Sequence, residues 1–202
     1  MLRHLSFVLL ATMFFPTLPA VAGTTNLQNM QAAYNGESNA HNRYLAFAKQ
    51  ADAESYGEVA SLFRAAARAE EIHASNHAVV IRSLGATPQM QLVAPNVKST
   101  RENLQEAIKG ETYERDIMYP AFLKQARAEG NRDAVRSLNL ARLAEVEHAK
   151  LYTQALQNLG NLKGSASKVF YVCPVCGFTT PDLNFASCPS CFTPKEKFEH
   201  VS

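Results

Sequence analysis

The sequence predicts an all-α four-helix bundle from Leu27 to about Leu159, followed by a small cysteine-rich β module. Three observations lead there. Apolar residues recur at helical spacing over four long segments, the composition changes near residue 165, and all four cysteines fall between 173 and 191. A chain of 202 residues has room for one medium domain and one small one. Its formal net charge of +2, with no Lys/Arg block, argues against a nucleic-acid or membrane-surface partner.

The first helix is expected near Leu27–Ala53, with a break at Tyr56-Gly57, and the second ends at Leu84-Gly85. A segment containing Pro88 and Pro95 follows, long enough to cross a bundle. The third helix starts near Ser99-Thr100, where Glu102 can help cap it, and ends at Gly130. Pro120 should kink this helix, because its missing N–H cannot bond the Asp116 carbonyl. The fourth runs from Arg132 to Leu159-Gly160. GNLKGSASK, Gly160 to Lys168, has the composition of a linker, and Val169-Phe170-Tyr171-Val172 after it is strand-like. The domains expected are a bundle over 23–160, a linker over 161–168 and a module over 169–202.

Residues 1–22 precede these. Arg3 and His4, an apolar run from Leu5 to Leu18 and Ala20-Val21-Ala22 match the three regions of a secretory signal peptide. The run is short for a membrane anchor, and Pro16 and Pro19 interrupt its end. No lipid-acceptor cysteine or twin arginine is present there, so general export of an unfolded chain is expected, with a mature start near Gly23 and a periplasmic location.

The helix pairs read as an internal repeat. Glu37 precedes Glu70 by 33 positions and Glu111 precedes Glu145 by 34; Glu70 and Glu145 each open a Glu-x-x-His, ending at His73 and His148. Helical residues three or four apart share a face. By that rule Glu37, Glu70, Glu111, Glu114 and Glu145 lie on the apolar stripes of their helices, while Glu147 falls off the stripe of Glu145 and His148. A buried carboxylate without a partner costs several kcal/mol, so five converging inside a bundle require compensating cations. Two divalent ions supply about +4 against about −5, and one Glu from each of two helices plus Glu-x-x-His from the others is the di-iron or di-manganese carboxylate pattern. Tyr44 and Tyr119 are placed to hydrogen-bond the ligand carboxylates. His77 supports a ligand or is partly exposed, His41 packs near the bundle rim, and His200 lies in a mobile tail.

Cys173-Pro-Val-Cys176-Gly and Cys188-Pro-Ser-Cys191 are two knuckles separated by eleven residues. Their spacing fits one tetrahedral four-thiolate metal site better than a pair of disulfides. Zinc there would be structural and iron a one-electron carrier; spacing does not choose between them.

Together these features resemble rubrerythrin. The stretches that carry the resemblance are NGESNAHNRY (35–44), AEEIH (69–73), KGETYERDIMYP (109–120), LAEVEH (143–148), the two knuckles and FTPK (192–195). The resemblance implies a ferritin-like bundle with a non-haem di-iron centre, and a rubredoxin-like (zinc-ribbon) domain with one Fe, or Zn, at four cysteines. It implies ligands at Glu37, Glu70, Glu111, Glu114, Glu145, His73 and His148, with Glu70 and Glu145 bridging. It also implies exchange between Glu114 and His73 with redox state, and supporting roles for Tyr44 and Tyr119. Family members reduce hydrogen peroxide to water and assemble as head-to-tail homodimers, so that one subunit's Fe(Cys)4 feeds the other's di-iron centre. A linker of about nine residues is short for joining a subunit's own two centres, which agrees with that exchange. The alternatives are a ferroxidase or iron-handling protein, and a non-enzymatic electron carrier with structural zinc. The signal peptide departs from most of the family, and outside the cytoplasm the electron donor is unidentified.

Overall fold

A computed structural model describes residues 25–202, so the leader over 1–22 lies outside the described residues. Helices α1 (Asn26–Ala53) and α2 (Gly57–Ser83) form one hairpin. The second hairpin pairs α3 (Thr100–Tyr113), a π-helical turn (Glu114–Met118) and α4 (Tyr119–Ala128) with α5 (Arg132–Gln157). The start signals read from sequence act as caps. Ser99 and Glu102 form a reciprocal capping box at α3, Thr25 and Gln28 form another at α1, and Asn131 accepts from the Ala134 N–H at α5. Gly85, at φ +79°, ends α2.

The crossover between hairpins has no regular structure, yet its backbone groups find partners. Gln31, Asn35 and Asn39, one turn apart on α1, bond Thr87 O (2.7 Å), Gln89 N (3.0 Å), Gln91 N (2.7 Å) and Val93 N (2.8 Å).

The third helix differs from the expected continuous run. A π turn separates α3 from α4 immediately before Pro120, and the Tyr119 N–H bonds the Glu114 carbonyl five residues back. Widening the turn lets the chain pass a residue with no N–H, and the register of α4 shifts relative to α3. The fourth helix ends at Gln157, and the linker's first residues belong to a short helix, α6 (Leu159–Leu162).

Two apolar clusters fill the bundle. One holds Tyr44, Phe47, Phe63, Leu104 and Tyr152; the other holds Met30, Ile81, Tyr119, Leu123 and Leu138. Glu37 on α1, His73 on α2, Glu111 on α3, and Glu145 and His148 on α5 lie between the residues of the two clusters, and Glu70 borders the first. Burying Phe47 and Phe63 stabilises the fold by about 1.5–3 kcal/mol each.

The module is a three-stranded antiparallel sheet with β1 (Phe170–Val172) between β2 (Thr179–Thr180) and β3 (Glu199–Val201). Phe170 and Val172 alternate into the bundle's first cluster. His200 is therefore not in a mobile tail: it lies in β3, its ring edge-on to Tyr171 at 4.9 Å.

The linker also behaves differently from expectation, since it seats the module on the bundle of the same chain. Gly57 N bonds Ser165 O (3.2 Å), Lys168 N bonds Ser61 Oγ (3.2 Å), and Arg68 forks onto the Glu199 carboxylate at 2.6 and 2.9 Å. Among the described residues no helix is long and apolar enough to cross a membrane.

Candidate metal centre

Helix α1 contributes Glu37, α2 contributes Glu70 and His73, α3 contributes Glu111, and α5 contributes Glu145 and His148; none is more than 1% exposed. They form two overlapping sets, Glu37–Glu70–His73–Glu145 and Glu70–Glu111–Glu145–His148, with donor atoms within 4.8 Å of one another in each. Glu70 and Glu145 belong to both sets. Glu114 belongs to neither; it opens the π turn and is half-buried. Glu147 faces outward, paired with Lys150 at 3.0 Å.

These residues fit a pair of cations. Glu37 Oε2, Glu70 Oε1, Glu111 Oε2 and both Glu145 oxygens are buried without a hydrogen-bond partner. Such orphans are costly unless something positive lies between them. The imidazoles agree. His73 Nε2 donates to the Cys176 carbonyl at 3.0 Å, which turns the Nδ1 lone pair toward Glu70 Oε2 (2.8 Å) and Glu145 Oε1 (3.1 Å). Thr179 gives its hydroxyl hydrogen to Gly177 O (2.9 Å), so its oxygen accepts from His148 Nε2 (3.1 Å). His148 Nδ1 then faces Glu145 Oε2 at 2.8 Å. A lone pair facing a carboxylate is repulsive until a metal ion or a proton sits between them.

Without metal, protons take that place. Burial, then Glu114, Glu70 and Glu145, raises Glu37 well above the usual carboxylate range; burial, then Glu70 and Glu145, pushes Glu111 up to about 8. Burial, then Glu111, raises Glu114. Burial opposes charge on Glu70, His73 and His148 alike. Hydrogen bonds from His148 and His73 nevertheless hold Glu70 low, and the facing carboxylates raise both histidines.

Both expected tyrosines reach the carboxylates. Tyr44 donates to Glu111 Oε1 at 2.5 Å, and Tyr119 donates to Glu37 Oε1. His77 is fully buried rather than partly exposed, and bonds Ser137 Oγ (2.8 Å) and the Tyr119 hydroxyl (3.2 Å). His41 is half-buried and bonds Ala67 O at 2.7 Å. Sequence reasoning missed Thr179, the Cys176 carbonyl and Ser137, which nothing local marks. Tyr152, one turn after His148 on the same helical stripe, is fully buried with an unpartnered hydroxyl and its ring 5.5 Å from Tyr44.

The cysteines form a third donor set. Cys173 and Cys191 sulfurs are 3.5 Å apart, as are those of Cys176 and Cys188, far from the ~2.05 Å of a disulfide. A tetrahedral metal–sulfur distance of ~2.3 Å gives sulfur–sulfur edges of ~3.8 Å, so the cage is close to metal-sized. The two knuckles repeat one geometry: Gly177 N returns to Cys173 O (2.9 Å) and Phe192 N to Cys188 O (3.0 Å). Both turn residues have positive φ, +75° for Gly177 and 63° for Phe192.

A helical bundle holding two sets of carboxylates and histidine, joined to a four-cysteine cage, defines a ferritin-like di-iron protein with a rubredoxin-like module. The Rubrerythrin family profile matches residues 28–156, and the chain belongs to that family. Nigerythrin of Nitratidesulfovibrio vulgaris is 38% identical over 175 residues, covering 86% of this chain and 85% of its own length. Rubrerythrin-2 of Clostridium acetobutylicum is 39% identical over 173 residues, covering 84% of this chain and 93% of its own. Among solved structures, fully reduced, all-ferrous nigerythrin superposes with a TM-score of 0.82 at 33% identity, over 94% of this chain and 100% of that one. A bacterioferritin of Desulfovibrio desulfuricans shares the fold at 22% identity, with a TM-score of 0.65 over 71% of this chain and 89% of its own.

Proposed function

We propose that this chain is an exported peroxidase that reduces hydrogen peroxide to water at the dinuclear site, drawing single electrons through the four-cysteine centre. One observation carries the reading: the His73 ring faces Glu70 and Glu145 with one nitrogen and bonds the Cys176 carbonyl with the other. The two metal sites are therefore one imidazole apart within a single chain. Export rests on the leader pattern of residues 1–22.

In this reading Glu70 and Glu145, which belong to both donor sets, would be shared by the two metal ions, Glu37 and His73 would complete one set, and Glu111 and His148 the other. Glu114, one helical turn after Glu111 at the start of the π turn, would be the carboxylate that exchanges with His73. Bound there, a pair of ferrous ions would supply the two electrons that cleavage of one O–O bond consumes. The protein holds the carboxylates apart, orients them through Tyr44 and Tyr119, and excludes bulk water with two apolar clusters. The balance is one peroxide, two electrons and two protons to two waters; the electrons come from an external donor.

The test is metal content and visible spectrum of protein from its native compartment, then steady-state peroxide consumption with a reduced donor against net Fe²⁺ oxidation. Iron at both sites and catalytic peroxide loss are expected. A colourless protein with zinc at the cysteines refutes the relay, and Fe²⁺ oxidation without peroxidase turnover replaces the reading with a ferroxidase.

A further inference from the structure

Beyond the metal ligands, four helices contribute to a second polar line that ends at the same site. We infer that Ser137, His77 and Tyr119 form a proton wire that carries protons from a surface cavity to Glu37. Ser137 Oγ lies 2.8 Å from His77 Nδ1, His77 Nε2 lies 3.2 Å from the Tyr119 hydroxyl, and Tyr119 bonds Glu37 Oε1.

The polarity of the line follows from its inner end. With a metal ion held by Glu37 the carboxylate is ionised and its Oε1 only accepts, so Tyr119 spends its hydrogen on it. The phenol oxygen must then accept from His77 Nε2–H, which leaves Nδ1 bare to accept from Ser137. Every donor points inward. His77 is fully buried and its hydrogen-bond partners are two hydroxyls rather than a carboxylate, which favours the neutral ring with one bare nitrogen beside one N–H.

The ends are placed for transport. Glu37, His77 and Tyr119 are fully buried, whereas Ser137 retains 8% exposure. Ser137 lines a cavity of about 340 Å³ together with Asn76, Ser83, Asp133 and Arg136. A histidine kept only for packing has no need of a chain that begins at solvent and ends on a ligand carboxylate.

Each passage balances. The Tyr119 O–H bond breaks as H–O forms at Glu37; Nε2–H breaks as the phenol regains its hydrogen; Ser137 O–H breaks as Nδ1–H forms. The Ser137 oxygen then takes a proton from cavity water. One solvent proton is lost and one is gained at Glu37, and the ring must return to its Nε2–H form before the next passage. Its use in turnover rests on the peroxide reduction proposed above, which consumes two protons; the wire itself does not.

The test starts with zinc-loaded protein, which is redox-inert, so the readout is independent of turnover. Ring-nitrogen NMR should show a neutral His77 whose Nε2–H exchanges with water. Ser137→Ala should slow that exchange by about a hundredfold, the low end for a positioned proton-transfer group, and Ser137→Thr should restore it. Unchanged exchange in Ser137→Ala overturns the wire.

In the iron-loaded protein, His77→Gln keeps an acceptor for Ser137 and a donor for Tyr119 but cannot pass a proton. It should lower kcat by about a hundredfold with a larger solvent deuterium effect and unchanged metal content. Unchanged turnover and isotope effect refute the inference. If the wild type reduces no peroxide, the functional reading fails while the exchange experiment still decides the wire.

Discussion

Gly177 of the cysteine module packs directly against His73 of the dinuclear site. A Cβ there would lie 2.4 Å from His73 Nε2, 3.0 Å from His73 Cδ2 and 3.2 Å from Ala69 Cβ. Gly177→Ala therefore acts in two ways. At φ +75° the alanine is strained by about 1–2 kcal/mol. The contact with the imidazole adds overpacking of about 1–3 kcal/mol, since the ring or the knuckle must move. Either movement weakens the His73–Cys176 hydrogen bond that aims Nδ1 at the carboxylates. Losing such an outer partner costs about 10–100-fold in metal affinity. Gly85→Ala is the control, because Gly85 has a similar φ of +79° and a Cβ added there would meet nothing within 4 Å. It should show the strain alone. Calorimetry should place Gly177→Ala lower in Tm than Gly85→Ala by about 2–4 °C for each extra kcal/mol. Zinc titration should show weakened binding only in Gly177→Ala. Equal Tm losses and unaltered metal affinity in both variants would refute the reasoning.

Glu145→Ala should abolish dinuclear metal binding, measured as metal per chain after gel filtration. Glu147→Ala should retain it and cost at most ~0.5 kcal/mol, because its partner Lys150 is 58% exposed. Tyr44→Phe leaves Glu111 Oε1 without its donor and should weaken metal binding about 10–100-fold, read by competition with a chelator. In chelator-stripped protein, Glu37, Glu111, His73 and His148 all bind protons more tightly folded than unfolded. Between the unfolded carboxylate pKa of about 4.3 and the folded Glu111 value, the native state carries more protons, so stability should fall as pH rises. A Tm of metal-free protein that rises from pH 5 to pH 8 would contradict this. Metal must displace the same protons, so apparent affinity should climb over that interval, with proton release measurable by indicator dye.

The placement of Glu70 with His73, and of Glu145 with His148 but not Glu147, is legible from residue spacing alone. Helical period decides which residues share a face, and an apolar stripe decides which face turns inward. The knuckles are legible for a similar reason, since two cysteines spanning two residues fix a local turn. The π turn is legible only as a disturbance at Pro120; the way the chain absorbs it depends on the hydrogen bonds left available around Glu114 and Tyr119. Glu114's position outside both donor sets is part of the same local geometry.

Contacts between distant segments belong to the tertiary structure. His73 meets the Cys176 carbonyl across 103 positions, and His77 meets Ser137 across 60. Linker length misleads here, because length measures reach while Ser165, Lys168 and Glu199 supply the bonds that hold the module down. The sequence by itself determined which glutamates and histidines pair on α2 and α5 and which cysteines pair into knuckles, because those depend on spacing within one element. Only packing decided which backbone carbonyl orients His73 and which hydroxyls continue the line from His77. Those depend on how the helices and the sheet dock, where displacement by one residue would bring different atoms into contact.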